Sequence, residues 1–317
     1  MSLKPLVSVV IPTYRRPLLV KRAVQSALAQ TLCQIEVIVV IDGPHEATRK
    51  ELKTIDDSRL RVIELPTNQG CCAARHAGIT AAQAKWVAHL DDDDEWMPQK
   101  LERQLEAVER SKYAFPIASC YLVVRSSKGE GIWPRRAPDE SEPLSEYLFV
   151  RNSLFQGEGL LQASTLLTSK ELLEKVPPSL TTKKHEDWDW LLRAITVKGV
   201  GIEFVPEPLS VWYLGERGQS LSTTPDWQYS FSWIQDKREL VTARAYSSFI
   251  LAEVSSRAAL VGDWKAFWIL LREAIRQGSP TVADVCLFLG MWLIPPHTRH
   301  RLRSLLIREG RAKTLPT

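Results

Sequence analysis

Residues 85–98 read KWVAHLDDDDEWMP, an apolar run that ends in four adjacent aspartates, Asp91 to Asp94, before Pro98 opens a helical pattern. Adjacent carboxylates repel, and runs of acid usually mark solvated tails. This run is instead clamped between a strand and an amphipathic stretch with Leu101, Leu105 and Val108 on one face. A cation would relieve the repulsion, and Mg2+ or Mn2+ takes oxygen ligands, commonly one or two carboxylates plus substrate phosphates. Three more apolar runs precede it: LVSVVI (6–11), IEVIVVI (35–41) and LRVIEL (60–65). Rich in Val and Ile and nearly continuous, the four predict parallel strands buried on both faces. Between the first two, Leu19, Ala23, Val24, Ala27 and Leu28 recur at helical spacing behind Pro17, which suits a first turn. The alternation is that of an α/β fold whose ligands bind outside the carboxyl ends of the strands.

Those strand ends carry the other candidates. PTYRR (12–16) follows the first strand, Asp42 ends the second, and NQGCCAARHAGI (68–79) sets Arg75 one turn beyond Cys71, within reach of a phosphate. No GxGxxG follows the first strand and no GxxxxGK[ST] occurs, which removes support for dinucleotide and P-loop chemistry. After residue 115 the pattern loosens into short strands, Ile117 to Arg125 and Ala163 to Thr168, predicting a mixed sheet. Helical period returns around Trp188, Leu191, Leu192 and Ile195, and GIEFVPEPLSVWYL (201–214) reads as closing strands. From Trp227 onward the pattern is helical, with Tyr246 to Pro280 as one hairpin, so the expected division is 1–226 and an all-helical 227–317.

The chain has 317 residues, 44% hydrophobic and 25% charged, the balance of a globular protein. Val285 to Ile294 is the longest apolar run, ten residues against the roughly 20 that a spanning helix needs. The N-terminal apolar stretch is cut by Pro12 and followed by arginines, unlike a secretory signal. Five cysteines without CxxC spacing read as reduced thiols, and together these features predict a cytoplasmic protein. The net charge of +4 resides entirely after Pro280, where six Lys or Arg face two acids, so no nucleic-acid surface is indicated. There, PPHTRHRLRSLLIREGRAKT (295–314) reads as a basic amphipathic helix suited to peripheral contact with a membrane.

In order and spacing, VSVVIPTYRR, the Asp42 strand end, NQGCCAARHAGI, HLDDDDEWMP and HEDWDW (185–190) resemble the family 2 glycosyltransferases over roughly the first 220 residues. The resemblance implies a GT-A fold, a Rossmann-like, mostly parallel mixed sheet flanked by helices, and an inverting, metal-dependent transfer from a nucleoside-diphosphate sugar. It implies that Pro12, Thr13, Tyr14, Arg15, Asp42 and Arg75 hold the nucleotide, with Asp91 and Asp92 on its base or ribose side. Asp93, with Asp91, would ligate Mn2+ or Mg2+; Asp187 would be the general base, with Glu186 beside it. The donor would be UDP-, GDP- or dTDP-linked and the acceptor a carbohydrate, free or lipid-linked. The family often has a histidine before a serine pair, where this chain reads YLGERGQSLS (213–222) with Glu216 and Arg217. The rivals are a nucleotidyltransferase, which wants a glycine-rich, lysine-bearing loop that PTYRRP does not supply, and a noncatalytic nucleotide-sugar binder or assembly subunit. Asp187 could also be merely a first-turn acid offsetting a helix dipole.

Overall fold

Val7, Val9 and Ile11 pack on one helix while Val10 packs on another, so the first strand is covered on both faces. The computed structural model describes residues 4–127, 129–151, 158–214 and 225–294. Strands β1 (Val7–Thr13) and β2 (Ile35–Ile41) are buried at every position, as nearly unbroken Val and Ile runs require. β3 (Leu60–Glu64) departs from the expectation of two buried faces: Arg61, Val62 and Glu64 are exposed. It is the edge of the sheet, with β2 as its neighbour. β4 (Trp86–His89) is again fully buried.

Helix α1 (Pro17–Leu28) turns Val20, Ala23, Val24 and Ala27 to the sheet, α2 (Glu46–Leu52) follows β2, and α3 (Cys71–Ala81) covers the opposite face. α3 lies very close: a Cβ on Gly78 would sit 2.4 Å from Val10 Cγ1. α2 had no sequence forecast; its seven residues carry only two buried positions, Thr48 and Leu52, too few to show a period.

The remaining strands are β5 (Glu95–Trp96), β6 (Phe115–Ser126), β7 (Gly129–Trp133), β8 (Leu167–Ser169) and β9 (Val200–Leu214). Among the described residues the sheet has nine strands in the order β3-β2-β1-β4-β8-β6-β9-β5, with β7 on β6. β8 runs antiparallel to both β4 and β6, so β6 and β9 point the same way as the first four strands. The result is a mostly parallel mixed α/β sheet. The expected strand at Ala163 to Thr168 is in its first half a 3₁₀ turn, Ala163–Thr165, whose Thr165 hydroxyl and backbone return to Gln162. The expected closing strands are one strand, β9, whose pairing with β6 shifts register around Pro206 and Pro208, where backbone donors are lost. Flanking helices are α4 (Lys100–Glu109), α6 (Lys170–Lys175) and α7 (Glu186–Ala194), and between α4 and α6 in the chain comes α5 (Leu144–Phe149).

The chain divides into one unit of residues 1–141 and 159–222 and a second of 142–158 and 223–317. The second therefore takes in 142–158, which the sequence reading left with the first. The cause is local: Phe149 packs edge-on to Phe249 at 4.9 Å and to Trp233 at 6.4 Å, and Glu146 accepts from the Thr242 hydroxyl at 2.8 Å. This unit holds α8 (Trp227–Asp236), α9 (Ala243–Ser248), α10 (Ser255–Leu260), α11 (Trp264–Gln277) and α12 (Val282–Leu293), with a π-helical stretch Phe249–Val254 joining α9 to α10. Among the described residues no helix is long and apolar enough to cross a membrane. The basic segment 295–314 and the Glu216–Arg217 neighbourhood lie outside the described residues.

Candidate active site

Four aspartates at one strand end are tolerated because each is taken up by cationic or hydroxyl and amide neighbours, Arg16 serving two of them. Asp91 accepts from the Arg75 guanidinium at 2.8 Å. Asp92 accepts from the Thr13 hydroxyl at 2.7 Å and from Arg16 at 3.0 Å, linking the ends of β1 and β4. Arg16 also reaches Asp93 at 3.1 Å, and Arg22 donates to the Asp93 carbonyl at 2.8 Å. Asp94 accepts through one oxygen from Ser164 at 2.6 Å and Gln162 at 2.7 Å, both at the 3₁₀ turn before β8. Burial pushes the Asp92 carboxyl up to about 6 against the pull of Arg16 and Thr13. Arg16 stood in the PTYRR candidate without a role of its own, and Arg22 was not singled out. Their signal was there, four Lys or Arg within ten residues of a strand end in an otherwise balanced domain, but only the fold shows which acids they meet.

Asp91, Asp93 and Asp94 each offer a carboxylate oxygen, and the three oxygens lie within 4.8 Å of one another. Ligands opposed across a Mg2+ ion at about 2.1 Å stand about 4.2 Å apart. The triad therefore suits a small hard cation after tightening by roughly half an ångström, and all-oxygen donors favour Mg2+ or Mn2+ over softer metals. Asp93 and Asp91 were expected there; Asp94 joins them because the turn after β4, closed by its N–H to the Asp91 carbonyl at 3.1 Å, folds the run back on itself.

The other candidates gather at the same rim. Asp42 is buried and accepts from the backbone N–H groups of Gln69 at 2.7 Å and Gly70 at 2.9 Å. It thereby fixes the entry to α3, where Gly70 takes φ +94°, a conformation open to glycine. Pro12 and Thr13 are buried at the end of β1, while Tyr14 and Arg15 are exposed, with the Arg15 guanidinium 5.1 Å from the Tyr14 ring centroid. Arg15 is left-handed at φ 56° and so is His185 at φ 65°, immediately before Glu186 and Asp187. Such backbone costs on the order of 1 kcal/mol and collects at functional sites. The His185 ring stacks on Trp188 at 4.9 Å, which holds the strained residue in place.

Arg75 joins the two acidic groups. Its buried guanidinium donates to Asp91 at 2.8 Å and Glu186 at 2.8 Å, and lies 4.0 Å from Asp187. Burial opposes the charge on Glu186, yet Arg75 and the Cys72 thiol at 3.1 Å hold its carboxyl below the usual range. Asp187 gets the other outcome. Burial raises it most, the charges of Glu186 and Asp91 add to that, and Arg75 opposes them, leaving Asp187 at about 7. Its oxygen accepts the Ala163 N–H at 3.0 Å, which fixes it over the 3₁₀ turn. A small cavity beside it is lined by Cys72, Arg75, His89, Ala163 and Glu186 among others. His89 is a poor base there, because burial and the charges of Arg75 and Lys100 hold its imidazole down to about 3. Asp92, at about 6, and Asp187, at about 7, are both raised toward neutrality, and of the two it is Asp187 that lines the cavity.

Known proteins with this pattern are sugar transferases. TuaG of Bacillus subtilis strain 168, named for teichuronic acid biosynthesis, is 36% identical over 159 residues, 50% of this chain and 58% of that protein's length. WcaA of Escherichia coli strain K12, named for colanic acid biosynthesis, is 36% identical over 290 residues, 88% of this chain and 97% of WcaA. The crystal structure of S. aureus TarS in complex with UDP-GlcNAc superposes with a TM-score of 0.56 at 16% identity, covering 91% of this chain and 81% of that one. That likeness concerns the fold, which is the GT-A arrangement. The match to Glycosyl transferase family 2 spans residues 8–176, from β1 through the aspartate run to the end of α6, and with the near full-length similarity to WcaA it establishes that this chain belongs to glycosyl transferase family 2.

Proposed function

We propose that the protein transfers a sugar from a nucleoside-diphosphate sugar to an acceptor hydroxyl by single displacement, with inversion and with Asp187 as general base. The observation that carries this reading is geometric: Arg75 bridges Asp91 and Glu186 at 2.8 Å each, and Asp187, 4.0 Å from Arg75 and held by the Ala163 N–H, lines the cavity beside them with its proton affinity raised by burial to about 7. A base with that affinity is ionised in useful proportion at neutral pH and still takes a proton from a hydroxyl losing it. Asp91, Asp93 and Asp94 would hold Mn2+ or Mg2+, which when bound supplies positive charge against the leaving diphosphate. Thr13, Asp42 and the loop between β1 and α1 shape the nucleotide side of the rim, where Tyr14 and Arg15 offer an exposed ring and cation. Arg75 acts on both halves, because it positions Asp91 toward the donor and tunes Asp187 for the acceptor. The polysaccharide pathways in the names of TuaG and WcaA support a carbohydrate acceptor, free or lipid-linked.

Calorimetry with UDP, GDP and dTDP, with and without Mn2+, followed by turnover of the matching sugar donors, tests the reading. It expects one nucleotide to bind in a metal-dependent way and its sugar donor to be consumed. Metal-dependent binding with no turnover of any donor would contradict catalysis and favour a nucleotide-sugar binder of the same fold.

A further inference from the structure

Helix α11 buries Ala266, Phe267, Leu270 and Ala274 against its own unit. Its opposite side carries Trp264, Trp268 and Ile275, all exposed, with half-buried Leu271 completing the stripe at helical spacing. Trp268, a large apolar ring, is 71% exposed. Beside the stripe run Lys265, Arg272 and Arg276, also exposed. Among the described residues of this helix the single acid, Glu273, lies off that face, accepting from the Tyr246 hydroxyl at 2.7 Å. Helix α12 repeats the pattern without charge: Val282, Cys286, Leu289 and Leu293 point outward, Val282 at 81% and Leu293 at 66% exposed, over the buried Asp284, Phe288 and Trp292. Ring contacts of Phe267 with Phe288 at 4.8 Å and of Trp264 with Trp292 at 5.2 Å fix the two helices together.

Large apolar side chains exposed in a stripe along each helix mark an interaction site. We propose that the outer faces of α11 and α12 dock on an anionic lipid surface, with Trp268, Ile275 and Leu293 entering the headgroup boundary and Lys265, Arg272 and Arg276 meeting lipid phosphates. Tryptophan is enriched at that boundary because its ring is apolar and its N–H stays hydrated. Basic side chains extend their charged ends from apolar stems toward the polar layer. Charge selects this occupant over a second copy. An antiparallel two-fold pairing through the α11 stripe would bring each basic edge toward its own copy, and a parallel one would offer that edge no acid, since Glu273 is engaged by Tyr246, whereas anionic lipid offers opposite charge. The chain leaves α12 toward residues 295–317, which add Arg299, Arg301, Arg303, Arg308, Arg311 and Lys313 against Glu309 alone, the same sign of charge. The surface lies on the second unit and is independent of the donor chemistry proposed above.

Flotation of the full-length chain with vesicles of equimolar phosphatidylglycerol and phosphatidylcholine, and of phosphatidylcholine alone, tests the proposal. The chain is expected to float with the anionic vesicles at low salt and to be released at high salt or on neutral vesicles. Trp268→Ser with Ile275→Ser should weaken binding to anionic vesicles at least about tenfold, because the apolar contribution is removed. Arg272→Gln with Arg276→Gln, at exposed positions that leave the helix packing intact, should weaken anionic binding and leave neutral vesicles unaffected. Circular dichroism and nucleotide binding report whether each variant is folded. Wild-type protein that fails to float at low salt, or a folded Trp268→Ser, Ile275→Ser protein that floats as well as wild type, overturns the proposal. So does a wild-type dimer that this double change converts to monomer, since the face would then belong to a second copy.

Discussion

Arg75 decides which of the adjacent carboxyls at the start of α7 keeps its proton. It donates to Glu186 at 2.8 Å and stands 4.0 Å from Asp187, so the nearer group stays charged and the farther, raised first by burial and then by the charges of Glu186 and Asp91, is lifted to about 7. The pH dependence follows with a definite sign. A base must be ionised to act, so the transfer rate should rise with pH through about 7 and level off above it. One pH unit below that midpoint should lower the rate about tenfold. A profile that stays flat down to pH 5 would remove Asp187 from the role. Arg75→Met should destabilise the fold by about 2 kcal/mol in urea unfolding, because the carboxylates it serves lose their cation. That figure is below the value for a wholly buried pair, since the Asp91 and Glu186 side chains remain about a quarter exposed.

At the scale of elements, α3 places Arg75, and Gly78 places α3. A Cβ there would lie 2.4 Å from Val10 and 3.2 Å from Val40, side chains buried between helix and sheet. Gly78→Ala should therefore cost about 1–3 kcal/mol by overpacking, and Val10→Ala in the same chain should recover part of the loss. Equal melting of Gly78→Ala and wild type would show that the interface yields more easily than its geometry indicates. The elements legible in the sequence were those with an unambiguous period: β1, β2, β4, α1 and α4 all fall where the Val and Ile runs or the leucine spacing put them. β3 was legible as a strand but not as an edge, because its hydrophobic run does not reveal that among the described residues only β2 pairs with it. The turn at Ala163–Thr165 was hidden for a different reason. Its Thr suits a strand by propensity, yet the Ser164 and Thr165 side chains are spent on Asp94 and Gln162.

For the whole molecule, the rim of the sheet was legible as a site because strand ends collect ligands, and the aspartate run stood out against a balanced charge distribution. What chemistry each acid could do was not legible. Asp94 reaches the triad through a turn, and Asp187 is raised first by its burial in the fold and then by the charges of Glu186 and Asp91, against the pull of Arg75, with Arg75 and Asp91 about a hundred residues earlier in the chain. Asp93→Ala should abolish metal-dependent nucleotide binding while leaving the unfolding transition close to wild type, because a rim carboxylate serves the ligand more than the core. Retention of Mn2+-dependent binding in that variant would take the triad out of the account. The central claim, that Asp187 takes the acceptor's proton, is tested most directly by single-turnover transfer with Asp187→Asn alongside calorimetric binding of the same donor. Donor binding should stay within a few-fold of wild type while the transfer rate falls at least about a hundredfold, the usual worth of a positioned base. Transfer at a near-normal rate, with binding unchanged, would contradict that claim.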